Sequence, residues 1–309
     1  MDIPPRARPL VSVIIPVYND AQGLKACLEA LARQSHPQSQ IEIIVIDNGS
    51  ENFHDVESIV HPYWNVRLVQ ESQPGSYAAR NKGIQTARGS IIAFTDADCI
   101  PTQDWIEKGV SYLTDNGFCD MIVGSVEVFS VTPTGPTLIE LYQMFLAFPQ
   151  ELHLKQFKAG ATANIMVRRQ VIDKVGKFNQ NLKSFGDFEW GQRIFSAGYL
   201  QKYAEEVKIL HPARSNWQEL KRRTIRVAGG FYDYYVATEE DYFRQFLKFL
   251  KIIIQDLVPP VNFALKTLRE PKLSSLQERL GLPVILLLVR YMSAIEKIRL
   301  WLGGTSARA

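Results

Sequence analysis

The first half of the chain alternates short apolar runs with stretches of helical periodicity. Leu10-Val11-Ser12-Val13-Ile14-Ile15-Pro16 predicts a buried strand ended by proline. Asp20 to Arg33 predicts a helix, because Leu24, Cys27, Leu28 and Leu31 fall on one helical face. Ile41 to Ile46 predicts a second strand that closes on the turn residues Asp47-Asn48-Gly49-Ser50. A helix is expected over Phe53 to Val60, a short strand over Val66 to Val69, and a helix from the glycine turn at Gly75 towards Arg88-Gly89. Ser90 to Cys99 is the stretch around which the rest is organised: an apolar run of strand length that stops in Asp96-Ala97-Asp98.

Strand and helix alternating at this rhythm imply βαβ units and a parallel sheet. Ligands of open α/β sheets bind at the carboxyl ends of the strands. The polar ends Tyr18-Asn19-Asp20 and Asp47-Asn48 would then share one edge with Asp96 and Asp98. Two carboxylates there are not core residues, since an unpaired buried carboxylate is very costly. They are either solvated turn residues or holders of a divalent cation such as Mg2+ or Mn2+.

Further on, Trp105 to Leu113 predicts a helix and Met121 to Val128 a strand. An apolar helix or lid is expected over Leu138 to Phe148, and a strand over Ala161 to Val167. A helical turn over Val171 to Val175, a helix over Asp187 to Ala197 stopped by Gly198, and a strand from Tyr203 to Leu210 delivering His211 complete this part. From about Ser215 the pattern is helical. Trp217 to Val227 carries Lys221, Arg222, Arg223 and Arg226. Tyr242 to Val258 sets Arg244, Lys248, Lys251 and Gln255 on one stripe, and Pro283 to Leu302 sets Arg290, Ser293 and Lys297 on another. The domain plan is therefore a polar leader over 1–9, an α/β domain over 10–214 and a basic amphipathic helical region over 215–309.

Composition sharpens this picture in three places. The net charge of +3 is too small to argue for nucleic acid, yet the stretch from residue 240 holds eleven Lys/Arg against six Asp/Glu. A basic tail on a near-neutral body points to a negatively charged surface as partner. Cys27, Cys99 and Cys119 form no Cys-x-x-Cys pair, which suits a reducing compartment. Met1 to Pro9 has no apolar core, so no secretory signal is expected. The longest apolar run, Leu280 to Val289, contains Gly281 and Pro283 and stops at Arg290, too short and broken for a membrane span.

Val11 to Asn19, Val45-Ile46-Asp47-Asn48-Gly49-Ser50, Ala79-Arg80-Asn81-Lys82-Gly83 and Asp96-Ala97-Asp98, in this order and at this approximate spacing, resemble the family 2 glycosyltransferases over residues 10 to 212. The resemblance implies a GT-A fold (a Rossmann-like, mostly parallel sheet flanked by helices), a nucleotide-diphospho-sugar donor and an inverting transfer, here of a hexosyl group. It places Asp98 as direct metal ligand, Asp96 on the ribose or the metal, and Asp47 on the nucleotide base. Pro16, Tyr18, Asn19 and Gly75 line the donor side, and Arg80 either orients Asp96, faces the diphosphate or forms a structural salt bridge. The family pattern of Glu-Asp, then Arg six residues after the Asp, is met by Gly186-Asp187 and Arg193, with glycine in place of the glutamate. Asp187 holds the position of the general base, its alternative role being a helix cap; Glu189 is the alternative base. His211 stands where the fold commonly supplies a further metal or diphosphate contact. Asn164 belongs to the acceptor-side strand, and Trp190 either stacks on a sugar or packs in the core. Lipid-linked or polysaccharide acceptors of cell-envelope or exopolysaccharide synthesis are the expected substrates, on a protein that is cytoplasmic and peripheral on the inner face of the membrane. Other classes remain as alternatives. A dehydrogenase is poorly supported, because no glycine-rich turn follows the first strand. An Asp-x-Asp phosphatase would make Asp96 a nucleophile but places its motif on the first strand. A non-catalytic sugar- or lipid-binding scaffold is the third.

Overall fold

A computed structural model describes residues 8–114 and 119–307. Most of the expected leader thus lies outside the described residues. Two compact units are distinguished. The first runs to Glu127 and takes in Phe148–Gln180 and Asp187–His211; the second holds Val128–Ala147, Asn181–Gly186 and the chain from Pro212.

In the first unit the elements follow the apolar runs closely. They are β1 (Val11–Val17), α1 (Ala21–Ala32), β2 (Ile41–Asp47), α2 (Phe53–Val60), β3 (Val66–Gln70), α3 (Ser76–Thr86), β4 (Ile91–Phe94), β5 (Ile100–Pro101) and α4 (Trp105–Thr114). Next come β6 (Met121–Phe129), which ends in the second unit, and, within the second unit, α5 (Leu138–Leu146). The first unit resumes with α6 (Gln150–Phe157), β7 (Ile165–Arg168), α7 (Arg169–Val175), α8 (Gly186–Ser196) and β8 (Gln201–Pro212). The strands form one sheet in the order β3-β2-β1-β4-β7-β6-β8-β5. β3, β2, β1 and β4 are parallel, while β7 runs antiparallel to both β4 and β6. Four neighbouring strands therefore share one direction, β6 shares it beyond β7, and the sheet is mostly parallel, as expected of a GT-A-like α/β fold.

β1, β2 and β4 are almost wholly buried, which is why they read as continuous apolar runs. Each fully buried Val or Ile contributes about 2 kcal/mol. α1 starts where the Asp20 carboxylate accepts the Gly23 N–H at 2.9 Å, a side-chain cap. α3 lies so close to the sheet that a Cβ on Gly83 would stand 2.5 Å from the Ile14 Cγ2. That approach fixes the height at which the helix carries Tyr77 and Arg80. At the opposite edge Glu42, on β2, accepts hydrogen bonds from the Ser12 hydroxyl, the Arg88 backbone and guanidinium, and the Gly89 N–H. Burial pushes its pKa up, but these donors outweigh burial and hold it below the ordinary value.

Several local expectations are corrected. Residues 162–164 form a 3-10 turn, and the strand expected from Ala161 begins only at Ile165. The apolar helix or lid expected to Phe148 ends at Leu146, and α6 follows as an additional helix.

The second unit is helical: α5, α9 (Trp217–Tyr235), α10 (Tyr242–Leu257), α11 (Val261–Arg269) and α12 (Leu276–Trp301). α12 runs straight through Gly281 and Pro283, which were expected to interrupt it. Pro283 lacks the N–H that would bond the Arg279 carbonyl one turn back. The Thr267 hydroxyl of α11 donates to that carbonyl at 2.9 Å instead, and Gly281 lets Leu138 of α5 pack against the helix. The polar stripe of α12 is also corrected. Lys297 is buried and pairs with Asp256 of α10 at 2.6 Å, and Arg290 donates to the Val258 carbonyl at 2.8 Å. Those cations hold helices together, and apolar side chains face outward in their place.

Candidate active site

The parallel register sets Val17 beside Asp47 and Asp47 beside Gln70, so three strands end on one line. The loops beyond are stitched to one another. The Asn19 N–H donates to the Ser50 hydroxyl, and the Asn19 side chain accepts from the Glu51 N–H. Asn48 donates to the Glu71 and Gln73 carbonyls and accepts from the Gly75 N–H at 2.7 Å. Gly75 has φ +124°, a conformation that a side chain would strain, and it opens α3. Asp47 is buried and accepts the Gly49 and Ser50 N–H groups. Tyr18 is more than half exposed on the same rim, next to the end of β1 with Pro16. The expected donor-side residues are thus brought together.

β4 delivers Asp96 and Asp98, both half-buried, alternating with the buried Ala97 and Cys99. Asp96 accepts from the buried Arg80 guanidinium of α3. The buried Arg80 Nε has no hydrogen-bond partner among the described residues. Asp98 meets His211, with carboxylate Oδ2 3.2 Å from imidazole Nε2. The reason is topological: β5 pairs antiparallel with β8, setting Ile100 opposite Leu210. One step further in that register, Cys99 faces His211. Asp98, Cys99 and His211 form a group whose ligand atoms lie within 4.8 Å of one another. A carboxylate and an imidazole converging at a strand end suit a divalent cation. Phe148 packs its ring 4.8 Å from the His211 ring and holds it in place.

Asp187 lies in the first turn of α8, not at its cap position. The Tyr77 hydroxyl donates to its Oδ1 at 3.1 Å, and the Thr162 N–H to its Oδ2 at 3.4 Å. The residue is half-buried. Burial pushes its pKa above the ordinary carboxylate value, against the opposing pull of Arg80 and Tyr77. Arg80 therefore stands between two carboxylates, bonded to Asp96 and acting through space on Asp187.

Other expected residues are engaged by partners within the protein. Glu189 is tied to Arg193, whose remaining donors go to the Val175 and Lys177 carbonyls. Trp190 is fully buried against Phe94 and Phe178 and donates to the Gly176 carbonyl, the packing expected of a core residue. Asn164 is equally buried, accepting from Trp105 Nε1 and donating to the Ser125 and Val207 carbonyls. Tyr77, the partner of Asp187, was missed: nothing local in the sequence links two residues so far apart. Cys99 was likewise passed over, because a lone cysteine carries no signal without its neighbours in space.

The glycosyl transferase family 2 model matches residues 12–183, more than half of the chain. The chain belongs to glycosyltransferase family 2. This family 2 glycosyltransferase is 37% identical over 264 residues to glycosyltransferase AglE of Haloferax volcanii, covering 84% of this chain and 86% of the relative. It is 26% identical over 195 residues to a PGL/p-HBAD biosynthesis glycosyltransferase of Mycobacterium bovis, covering 62% and 71%. In fold it is similar to the mannosyltransferase PcManGT of Pyrobaculum calidifontis, whose structure holds GDP-Man and Mn2+. The TM-score is 0.64 at 18% identity, over 97% of this chain and 89% of that one.

Proposed function

We propose that this glycosyltransferase moves a sugar from a nucleotide-diphospho-sugar to an acceptor hydroxyl with inversion, and that Asp187 is the base. One observation carries this reading: the Asp187 carboxyl, held by Tyr77 and the Thr162 N–H, feels the charge of Arg80, which is itself bonded to Asp96 beyond the end of β4. In this reading Asp47 and the stitched loops around Asn19, Asn48 and Gly75 receive the nucleotide. Asp98 and His211 would hold Mn2+ or Mg2+, and the imidazole favours Mn2+. That cation supplies neutralising charge for the nucleoside diphosphate that leaves. The Arg80 charge lies on the same side, bonded to Asp96. Asp187 takes the proton of the attacking hydroxyl, for which a raised pKa is an advantage. Tyr77 and the Thr162 N–H hold its two oxygens in orientation. Glu189 is spent on Arg193 and leaves Asp187 without a rival. GDP-Man and Mn2+ on the fold relative support the donor and metal parts.

A lipid-linked or glycan acceptor at a membrane surface, on the cytoplasmic side and within envelope or exopolysaccharide synthesis, completes the proposal. Among the described residues no helix is long and apolar enough to cross a membrane. The second unit, however, presents Phe243, Leu247, Leu250, Ile254 and Leu257 of α10 outward, all at least two-fifths exposed. Val261, Leu265 and Leu268 of α11 and Leu276, Leu280, Val284 and Leu288 of α12 continue the pattern. Arg244, Lys251, Lys266, Arg269 and Lys272 accompany them at the surface. An apolar helical face with basic neighbours suits an anionic headgroup layer.

The test is nucleotide release from a panel of sugar nucleotides with Mn2+, alongside calorimetric donor binding. Asp98→Asn is expected to lower kcat/KM by about 10²–10³-fold, the scale of one electrostatic contact to developing charge. Asp187→Asn is expected to keep donor binding while turnover falls about 10²–10⁴-fold. Normal turnover in Asp187→Asn would remove it as the base.

A further inference from the structure

We propose that Cys99 turns the Asp98–His211 pair into a site for thiophilic metals, so that Zn2+ or Co2+ is captured through oxygen, sulfur and nitrogen and displaces the working cation. The inference rests on Asp98 and His211 being the donor-side cation pair; what it adds is the third donor and the inhibition that follows.

Three observations converge. The antiparallel register of β5 on β8 sets Ile100 opposite Leu210, and Cys99 and His211, the next residues out, bring their ligand atoms within 4.8 Å. Asp98 then spans the two: its Oδ2 lies 3.2 Å from His211 Nε2, and its Oδ1 lies 3.8 Å from Cys99 Sγ. Zinc bonds of about 2.3 Å to sulfur and about 2.0–2.2 Å to nitrogen and oxygen give tetrahedral edges of about 3.4 Å (N to O) and about 3.6 Å (S to O). The two Asp98 spacings, made by different oxygens, lie within a few tenths of an ångström of those edges, and the three ligand atoms all lie within 4.8 Å of one another, so a turn of the carboxylate and an inward shift of the side chains would close the set. His211 and Cys99 are buried, which fixes them, whereas Asp98 keeps a third of its side chain exposed and gives an ion a route in.

The donor set decides the preference. Carboxylate and imidazole serve Mn2+, while a thiolate selects softer ions, and affinity rises from Mn2+ through Co2+ towards Zn2+ at a given site. On binding, a metal–sulfur bond forms and the thiol proton passes to buffer. Three protein donors fill most of a tetrahedral shell and leave one position, fewer than a cation needs to bridge two oxygens of a diphosphate while keeping these ligands. Zn2+ is therefore expected to inhibit by competing with Mn2+, and the chain should discriminate between these metals through one side chain.

Cobalt makes the sulfur visible. Titration of the full chain with Co2+ is expected to produce a thiolate-to-cobalt charge-transfer band in the near ultraviolet, present in wild type and in Cys27→Ser and absent in Cys99→Ser. Mn2+ binding followed by electron paramagnetic resonance is expected to persist in Cys99→Ser, and its failure in wild type as well would count against the donor-site reading rather than against Cys99. X-ray absorption of wild type with one equivalent of Zn2+ needs no variant, and is expected to show one sulfur neighbour at about 2.3 Å. Absence of the band and of the sulfur shell, or a band that survives in Cys99→Ser, overturns the proposal.

Discussion

Asp187 and its neighbours show how one carboxylate is tuned by three groups of different kinds. Burial raises its pKa, while the Arg80 charge and the Tyr77 hydroxyl favour the ionised form. The sign follows from linkage. A carboxyl whose folded pKa is raised costs the fold stability once the pH climbs through its unfolded value towards its folded one. Asp187→Asn should therefore leave the thermal midpoint at pH 7 unchanged or higher while turnover falls, a combination that a purely structural aspartate would not show. Tyr77→Phe removes a donor to the charged form, so the acidic limb of kcat/KM is expected to move to higher pH. A limb that stays put would mean that Tyr77 does not act on the base. Glu42 runs the other way: its pKa is held down in the fold, so its contribution is present above the ordinary glutamate value and is lost as the pH falls through the depressed one.

At the scale of elements, the parallel half of the sheet was legible because strands covered on both faces must be apolar throughout. The strand ends, and with them Asp47, Asp96 and Asp98, could be placed from that pattern alone. What was not legible depended on partners distant in sequence. Trp190 and Asn164 lie in the stretch expected on the acceptor side, but the Phe94–Phe178 cluster and the Val207 carbonyl that enclose them come from elsewhere in the chain. The passage of α12 through Pro283 needed a hydroxyl from α11, and Lys297 could be turned inward only because Asp256 waits there. Two substitutions test these placements. Thr267→Val should leave the Arg279 carbonyl unsatisfied and lower stability by about 1–2 kcal/mol, read as a lower denaturant midpoint at constant slope. Gly83→Ala gains helix propensity but presses on Ile14 and Ile46, where overpacking costs about 1–3 kcal/mol. It should therefore destabilise and, by lifting α3, reduce turnover; a stabilised, fully active variant would contradict the tight seat assigned to that helix.

For the whole molecule, the outward apolar face of the second unit is the feature that soluble chains rarely tolerate, since large exposed patches mark interaction surfaces. Co-sedimentation with anionic vesicles at low salt is the measurement. Leu247→Glu with Ile254→Glu exchanges two outward apolar groups for charge and should reduce partitioning at least tenfold, because full burial of each contributes about 2 kcal/mol. Raised salt should weaken the basic part, at about 1 kcal/mol per Lys or Arg near the surface. A chain that ignores vesicles yet elutes as a dimer would make this face a contact between copies instead.

Attachment through such a face would change the variables that govern rate. An enzyme and an acceptor held in one plane meet in two dimensions, so their encounter depends on surface density and not on bulk molarity, as linked binding events do. Adding inert lipid at fixed enzyme and acceptor would then slow transfer by surface dilution, with no change at the catalytic residues.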